Sequence, residues 1–171
     1  MTAPSARCAP AAVGPVLVRR AVPGDRDALV AMFGRSTALT RYYRFHAPVK
    51  SIPERYLADA LAGGPLHHAL VACPGTGPRL AALASCRVFD EGAAELGLLV
   101  EDAWQRRGLG RRLLGELVAQ ADRSGLRVLT AQLLTEQAWI VGGLLRRYGA
   151  CRVRTAGAGV LTVTVRLPRQ R

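Results

Sequence analysis

The chain has 171 residues, half of them hydrophobic, and a formal net charge of +12. That length suits one domain able to bury a core, and the hydrophobic fraction excludes a disordered chain. The charge is carried almost wholly by arginine and suits a polyanionic partner. The arginines are spread evenly, without zinc-ligand spacing or an aromatic-rich RNA-binding motif, which favours a phosphate-rich ligand over nucleic acid.

Residues 1–14 read as a flexible tail, leaving 15–171 as a single domain. The apolar patch from Ala9 to Val18 is interrupted by Pro10, Gly14 and Pro15, so a signal peptide is not expected, and no run approaches a membrane span. Val16 to Arg20 alternates as a strand, and Pro23-Gly24-Asp25 opens a helix to about Phe33. Helices are predicted from Ser36 to about Phe45 and, after Pro53, to about Leu61, where Gly63-Gly64-Pro65 ends the run. Strands follow at His68 to Cys73, Leu80 to Phe89 and Ala93 to Val100, separated by Pro- and Gly-rich turns. A helix to about Ser124, a strand from Arg127 to Leu133 and a helix from about Glu136 to Tyr148 come next. A hairpin of Cys151 to Thr155 and Val160 to Leu167 closes the chain. This order predicts an α+β fold with a mixed, mostly antiparallel central sheet flanked by helices.

The run Gln105-Arg106-Arg107-Gly108-Leu109-Gly110-Arg111-Arg112 links the strand ending at Val100 to an amphipathic helix with Leu109, Leu113, Leu114, Leu117, Val118 and Ala121 on one face. Unpaired N–H groups in the first helical turn, the helix dipole and four arginines make this an anion site. Glycine at 108 and 110 would let a phosphate approach the backbone. Two familiar phosphate loops fail on spacing. A Walker A loop needs Gly-Lys-Ser/Thr, and the chain's one lysine is Lys50. A dinucleotide fingerprint needs a third glycine three residues after Gly110, whereas the next is Gly115.

What remains, Gln-x-x-Gly-x-Gly at 105–110, resembles the pyrophosphate loop of the GNAT superfamily of acyl-CoA N-acetyltransferases, and the element order resembles that fold over about residues 16–167. The resemblance implies a GNAT-like domain, acetyl-CoA as co-substrate and a wedge beside the Ala93–Val100 strand for the pantetheine arm. It implies that Leu98, Leu99 and Val100 pair with pantetheine amides. Gln105, Arg106, Arg107, Gly108, Leu109, Gly110 and Arg111 would hold the pyrophosphate. It also implies Glu95 as general base, the proton acceptor an ammonium of pKa about 10.4 requires before attack; its other reading is a solvent-facing strand residue. Two family features are missing. No asparagine opens the last long helix, and Leu144-Leu145 stand where a tyrosine acid would fall. A thiol of pKa about 8.5 can leave as thiolate without that acid, and Tyr148 is read as packing.

The segment Ser36 to Phe45 is similar to one in bacterial protein lysine acetyltransferases, which implies a protein lysine as acceptor. Read from its residues alone, it is an amphipathic helix burying Leu39, Tyr42 and Phe45. Asp90, Glu91, Glu95, Glu101 and Asp102 form an acidic cluster that either attracts a cationic acceptor or makes two solvated turns. His67 and His68 lack partners at metal spacing and are read as structural, and no metal site is expected. Cys8, Cys73, Cys86 and Cys151 read as buried hydrophobes or free thiols in a reducing compartment, hence the cytoplasm. The alternatives are a small-molecule amine acetyltransferase, a non-catalytic acyl-CoA-binding module and a basic nucleic-acid binder. The oligomeric state is left open.

Overall fold

A computed structural model describes residues 15–149 and 151–167. The expected tail and Cys8 lie outside these residues. Seven strands form one sheet: β1 (Val16–Arg20), β2 (His67–Pro74), β3 (Ala82–Asp90), β4 (Ala93–Val100), β5 (Val128–Leu134), β6 (Cys151–Gly157) and β7 (Val160–Arg166). Their order is β1-β2-β3-β4-β5-β7-β6, and β4–β5 is the parallel pair in an otherwise antiparallel ladder. The helices are α1 (Arg26–Arg35), α2 (Ala38–Phe45), α3 (Glu54–Ala62), α4 (Leu109–Arg123) and α5 (Trp139–Tyr148). The fold is α+β, as the element order predicts. No helix among the described residues is long and apolar enough to cross a membrane.

Each sheet face packs on its own helical layer. On one face α4 buries Leu109, Leu113, Leu117, Val118 and Ala121 against Leu70, Ala84, Ala94 and Leu129, while Leu114 is only partly buried. On the other, Leu29, Met32 and Phe33 of α1 and Leu57 and Leu61 of α3 cover Val71, Leu83 and Leu99. Strand alternation therefore sends the even residues of β4 toward α4 and the odd ones toward α1–α3. Cys73 and Cys86 are buried free thiols, and burial pushes the Cys86 thiol up to about 11.

Two helix starts differ from expectation. The stretch at Pro23–Asp25 is a 3₁₀ turn, and α1 begins at Arg26. Asp25 is held there by Arg19, with both carboxylate oxygens 2.7 Å from its guanidinium, and by the Val22 N–H at 2.9 Å. The last long helix is likewise split: Thr135–Gln137 forms a 3₁₀ turn and α5 starts at Trp139. The Gln137 side-chain oxygen accepts from the Leu134 N–H at 3.2 Å, closing a tight turn before the α-helix begins.

Candidate active site

The glycine loop leaves β4 through a 3₁₀ turn, Asp102–Trp104. Arg106 (φ 57°) and Gly108 (φ 81°) then take left-handed backbone, which reverses the chain into α4. The first helical bond runs from Arg112 N–H to Gly108 C=O at 3.0 Å. The N–H groups of Leu109, Gly110 and Arg111 precede it and open toward the loop. The two glycines do different work. A side chain at Gly108 meets open space, and the residue is needed for its backbone angle. A Cβ at Gly110 would come within 3.2 Å of Leu98 Cδ2 and 3.6 Å of Val100 Cγ2, so Gly110 serves the approach of α4 to β4 rather than room for a phosphate.

The arginines divide as well. Arg106, Arg107 and Arg111 are exposed around the loop, with Arg107 over the Trp104 ring at 5.8 Å. Arg112 is committed elsewhere, to the Val16 carbonyl at 2.7 Å and to Glu116. Gln105 faces back into the fold: its side-chain N–H groups donate to the Val100 carbonyl and the Thr40 hydroxyl, each at 3.0 Å.

The β4–β5 ladder runs from Ala93 opposite Val128 to Leu96 opposite Ala131 and stops. Beyond it, residues 97–100 of β4 and 132–134 of β5 diverge, while β5 stays paired with β7 as far as Leu134. A wedge thus opens in the sheet directly above the loop. The Glu101 N–H donates to the Ala81 carbonyl on β3. By alternation, the backbone groups of Leu98 and Val100 point away from β3 and into the wedge, while those of Leu99 pair with β3. Beyond Leu96 the β4 backbone has no partner on β5.

The opposite face of β4 carries Glu95 and Gly97. The half-buried Glu95 carboxylate accepts from Arg87, its cross-strand partner on β3, at 3.1 Å. Above this pair sits the C-terminal end of α2. Thr37 caps the start of that helix through the Thr40 N–H, and His46 ends it in left-handed backbone. The Arg44 guanidinium lies on Gly97, where a Cβ would collide with its Nη2, and over the Tyr56 ring at 4.6 Å. The Tyr56 hydroxyl is 3.1 Å from Ser85 Oγ, and Ser85 is the β3 partner of Gly97. Burial holds His46 below the ordinary imidazole value; Arg44 lowers it further and Glu95 draws it partly back. His46 is therefore neutral near pH 7, with its buried Nε2 lacking a partner among the described residues.

The expected burial of Leu39 and Tyr42 is not observed. Both are exposed, and Phe45 alone of the three packs inward, edge-on to Phe33 and Tyr56. The acidic cluster divides: Asp90 and Glu91 are exposed at the turn from β3 to β4, whereas Glu101 and Asp102 are engaged within the fold. Glu101 is buried between Arg35 (3.0 Å) and Arg79 (2.6 Å). Asp102 accepts from the Thr37 N–H and from the Thr37 and Thr40 hydroxyls, all at 2.8 Å. These bonds dock α2 on the end of β4. Composition carried no sign of them, because they join residues more than sixty positions apart. His68 Nδ1 lies 3.3 Å from the Gln120 amide, and no metal-binding group of three His, Cys, Asp or Glu occurs among the described residues.

The description of the Acetyltransferase (GNAT) family matches residues 36–139. Among solved structures, the chain is similar to the GNAT domain of Streptomyces lividans PAT, with TM-score 0.76 and 22% identity over 88% of this chain and 89% of that one. It is also similar to the PaiA N-acetyltransferase of Thermoplasma acidophilum in complex with coenzyme A, with TM-score 0.64 and 14% identity, covering 90% and 99%. A cAMP-binding acyltransferase of Mycobacterium smegmatis gives TM-score 0.59 and 26% identity, covering 90% of this chain and 44% of that one. The chain belongs to the GNAT family of acetyltransferases.

Proposed function

We propose that this protein transfers an acetyl group from acetyl-CoA to a primary amine, a protein lysine on the reading of α2, with Glu95 as general base. The observation that carries this is the position of Glu95: a half-buried carboxylate one residue before the β4–β5 ladder opens, on the face away from α4. The co-substrate supplies an activated thioester. The chain's own residues do the rest. Arg106, Arg107, Arg111 and the amides of Leu109 and Gly110 hold the pyrophosphate at the helix N-terminus. The Leu98 and Val100 backbone, with Leu99 anchoring the strand, aligns the pantetheine arm. Gln105 fixes the loop's entry.

Glu95 removes a proton from the ammonium, Arg87 keeps the carboxylate oriented, and the free amine forms an N–C bond to the acyl carbon as the C–S bond breaks, the second proton lost by the nitrogen passing to the departing thiolate. An N–H from β4 faces the oxygen on which negative charge grows. The thiol needs no protein acid, because it leaves as thiolate; Tyr148 packs against the α4 core. The buried thiols of Cys73 and Cys86 suit a reducing, cytoplasmic setting. The test is acyl-CoA-dependent thiol release over lysine-containing proteins and small amines. Acceptor-dependent release supports the reading. CoA binding without release across the panel overturns it.

A further inference from the structure

Arg44 is a cation without an anion. It sits half-buried on the β4 face that carries Glu95, its guanidinium pressed on Gly97 and flanked by the rings of Tyr56 and Phe45. Its Nε is buried without a hydrogen-bond partner, and no ion pair to it occurs among the described residues. The one carboxylate on this stretch of β4, Glu95, is already bonded to Arg87. Of the facing groups on other elements, Tyr56 and Ser85 bond each other, His46 is neutral, and Asp59 of α3 acts on His67 but forms no ion pair with Arg44 among the described residues. The apolar rings hold the guanidinium in place but do not satisfy its donors. With Nε buried and unpaired, the guanidinium lacks an acceptor that a bound anion would supply.

Gly97 lies two residues from Glu95 on the same face, a spacing of about 7 Å along a strand. An amine seated at Glu95 therefore has a fork of donors within reach of its own neighbouring group. We propose that the acceptor presents a carboxylate close to its amine, bound by Arg44 while Glu95 takes the amine. Planar, bidentate contact is what a guanidinium offers a carboxylate and an ammonium does not. Such an acceptor is either a lysine with an acidic residue beside it or a free amino acid; both present the same chemistry. The proposal rests on the acetyl-transfer reading, and it excludes simple polyamines, whose added positive charge meets Arg44 and Arg87.

The experiment uses the full chain, acetyl-CoA and two matched acceptor pairs. One pair is a lysine peptide flanked by Asp or Glu and the same peptide with Asn or Gln. The other is an amino acid and its carboxamide. The carboxylate-bearing member is expected to have a kcat/KM about ten- to a hundredfold higher, mostly through KM. Preference within the peptide pair assigns a protein acceptor, and within the amino-acid pair a small one. In Arg44→Gln the ratio should fall to near one with CoA affinity kept, and Arg44→Lys should restore part of it while guarding against a folding defect. Turnover without preference, or a preference that survives in Arg44→Gln, overturns the proposal and leaves acetyl transfer standing. Loss of kcat alone in Arg44→Gln also overturns it, since the guanidinium would then act on the acyl oxygen. If no acceptor in either pair turns over, this proposal falls, and the wider panel of amines decides acetyl transfer.

Discussion

Gln105 Nε2 lies 3.0 Å from the Val100 carbonyl and 3.0 Å from Thr40 Oγ1, so the first residue of the glycine loop ties α2 to the end of β4. Its amide links the strand facing the wedge to the helix carrying Arg44. Gln105→Ala is expected to cost about 1 kcal/mol of stability, the scale of one or two exposed hydrogen bonds. It should also raise the acceptor KM more than the CoA Kd. Denaturant unfolding and calorimetry with CoA, alongside steady-state kinetics, check both.

Glu101 holds Arg35 and Arg79 from a buried position at the same strand end. Glu101→Ala removes the shared acceptor, although both guanidinium groups retain some access to water. A loss of about 2 kcal/mol is expected, the range for hydrogen bonds to a charged group. Glu101→Asp, too short to reach both arginines, should recover only part. The midpoint in urea reads this directly.

The loop glycines should separate by mechanism. Gly108→Ala forces a side chain into left-handed backbone and should cost about 1 kcal/mol. Gly110→Ala keeps ordinary backbone but presses Leu98 Cδ2. Its effect should therefore appear in CoA affinity more than in stability, because Leu98 lines the wedge. Gly110→Val should fail in both. Thermal unfolding and CoA titration on the three variants distinguish the two roles.

Stability should fall in two stages as pH drops. Burial holds His46, His67 and His68 below the usual imidazole value. The unfolded chain therefore binds protons first, and stability begins to fall as pH passes below about 6.5. Asp25 is held below the usual carboxylate value by its bond to Arg19. At Asp102, burial acts upward, but the bonds from Thr37 and Thr40 prevail and lower it. Both carboxylates contribute stability above their unfolded value, and that contribution is lost as pH falls below about 4. Asp25→Asn should flatten the second stage and leave the first. Urea midpoints from pH 8 to pH 3 test the shape.

Much of the fold was legible because its signals are local. The alternation of Val16 to Arg20, the apolar stripe of Leu109 to Ala121 and the turn glycines each specify an element within a few residues. The loop was legible because a short spacing carries it, whereas a role for Glu95 came only from the family resemblance. What escaped depends on contacts distant in sequence. Nothing near Arg44 announces that it will lie on Gly97, and nothing near Asp102 announces that it will hold Thr37. The break at Ala138 was missed for a different reason: Gln137 reads as a good helix former, yet its side chain closes on Leu134. Leu39 and Tyr42 mislead because their helical spacing implies a buried face that α2 turns outward.

The central claim is that Glu95 accepts the proton of the attacking amine, and its most direct test is the pH-dependent steady-state rate of Glu95→Gln with CoA affinity measured in parallel. With Glu95 as the base, kcat/KM for the acceptor falls by about a hundredfold or more in this variant, with the fall largest below the pKa of the amine, while CoA binds as it does to the unaltered protein. Turnover close to that of the unaltered protein, with the same pH profile, would contradict it.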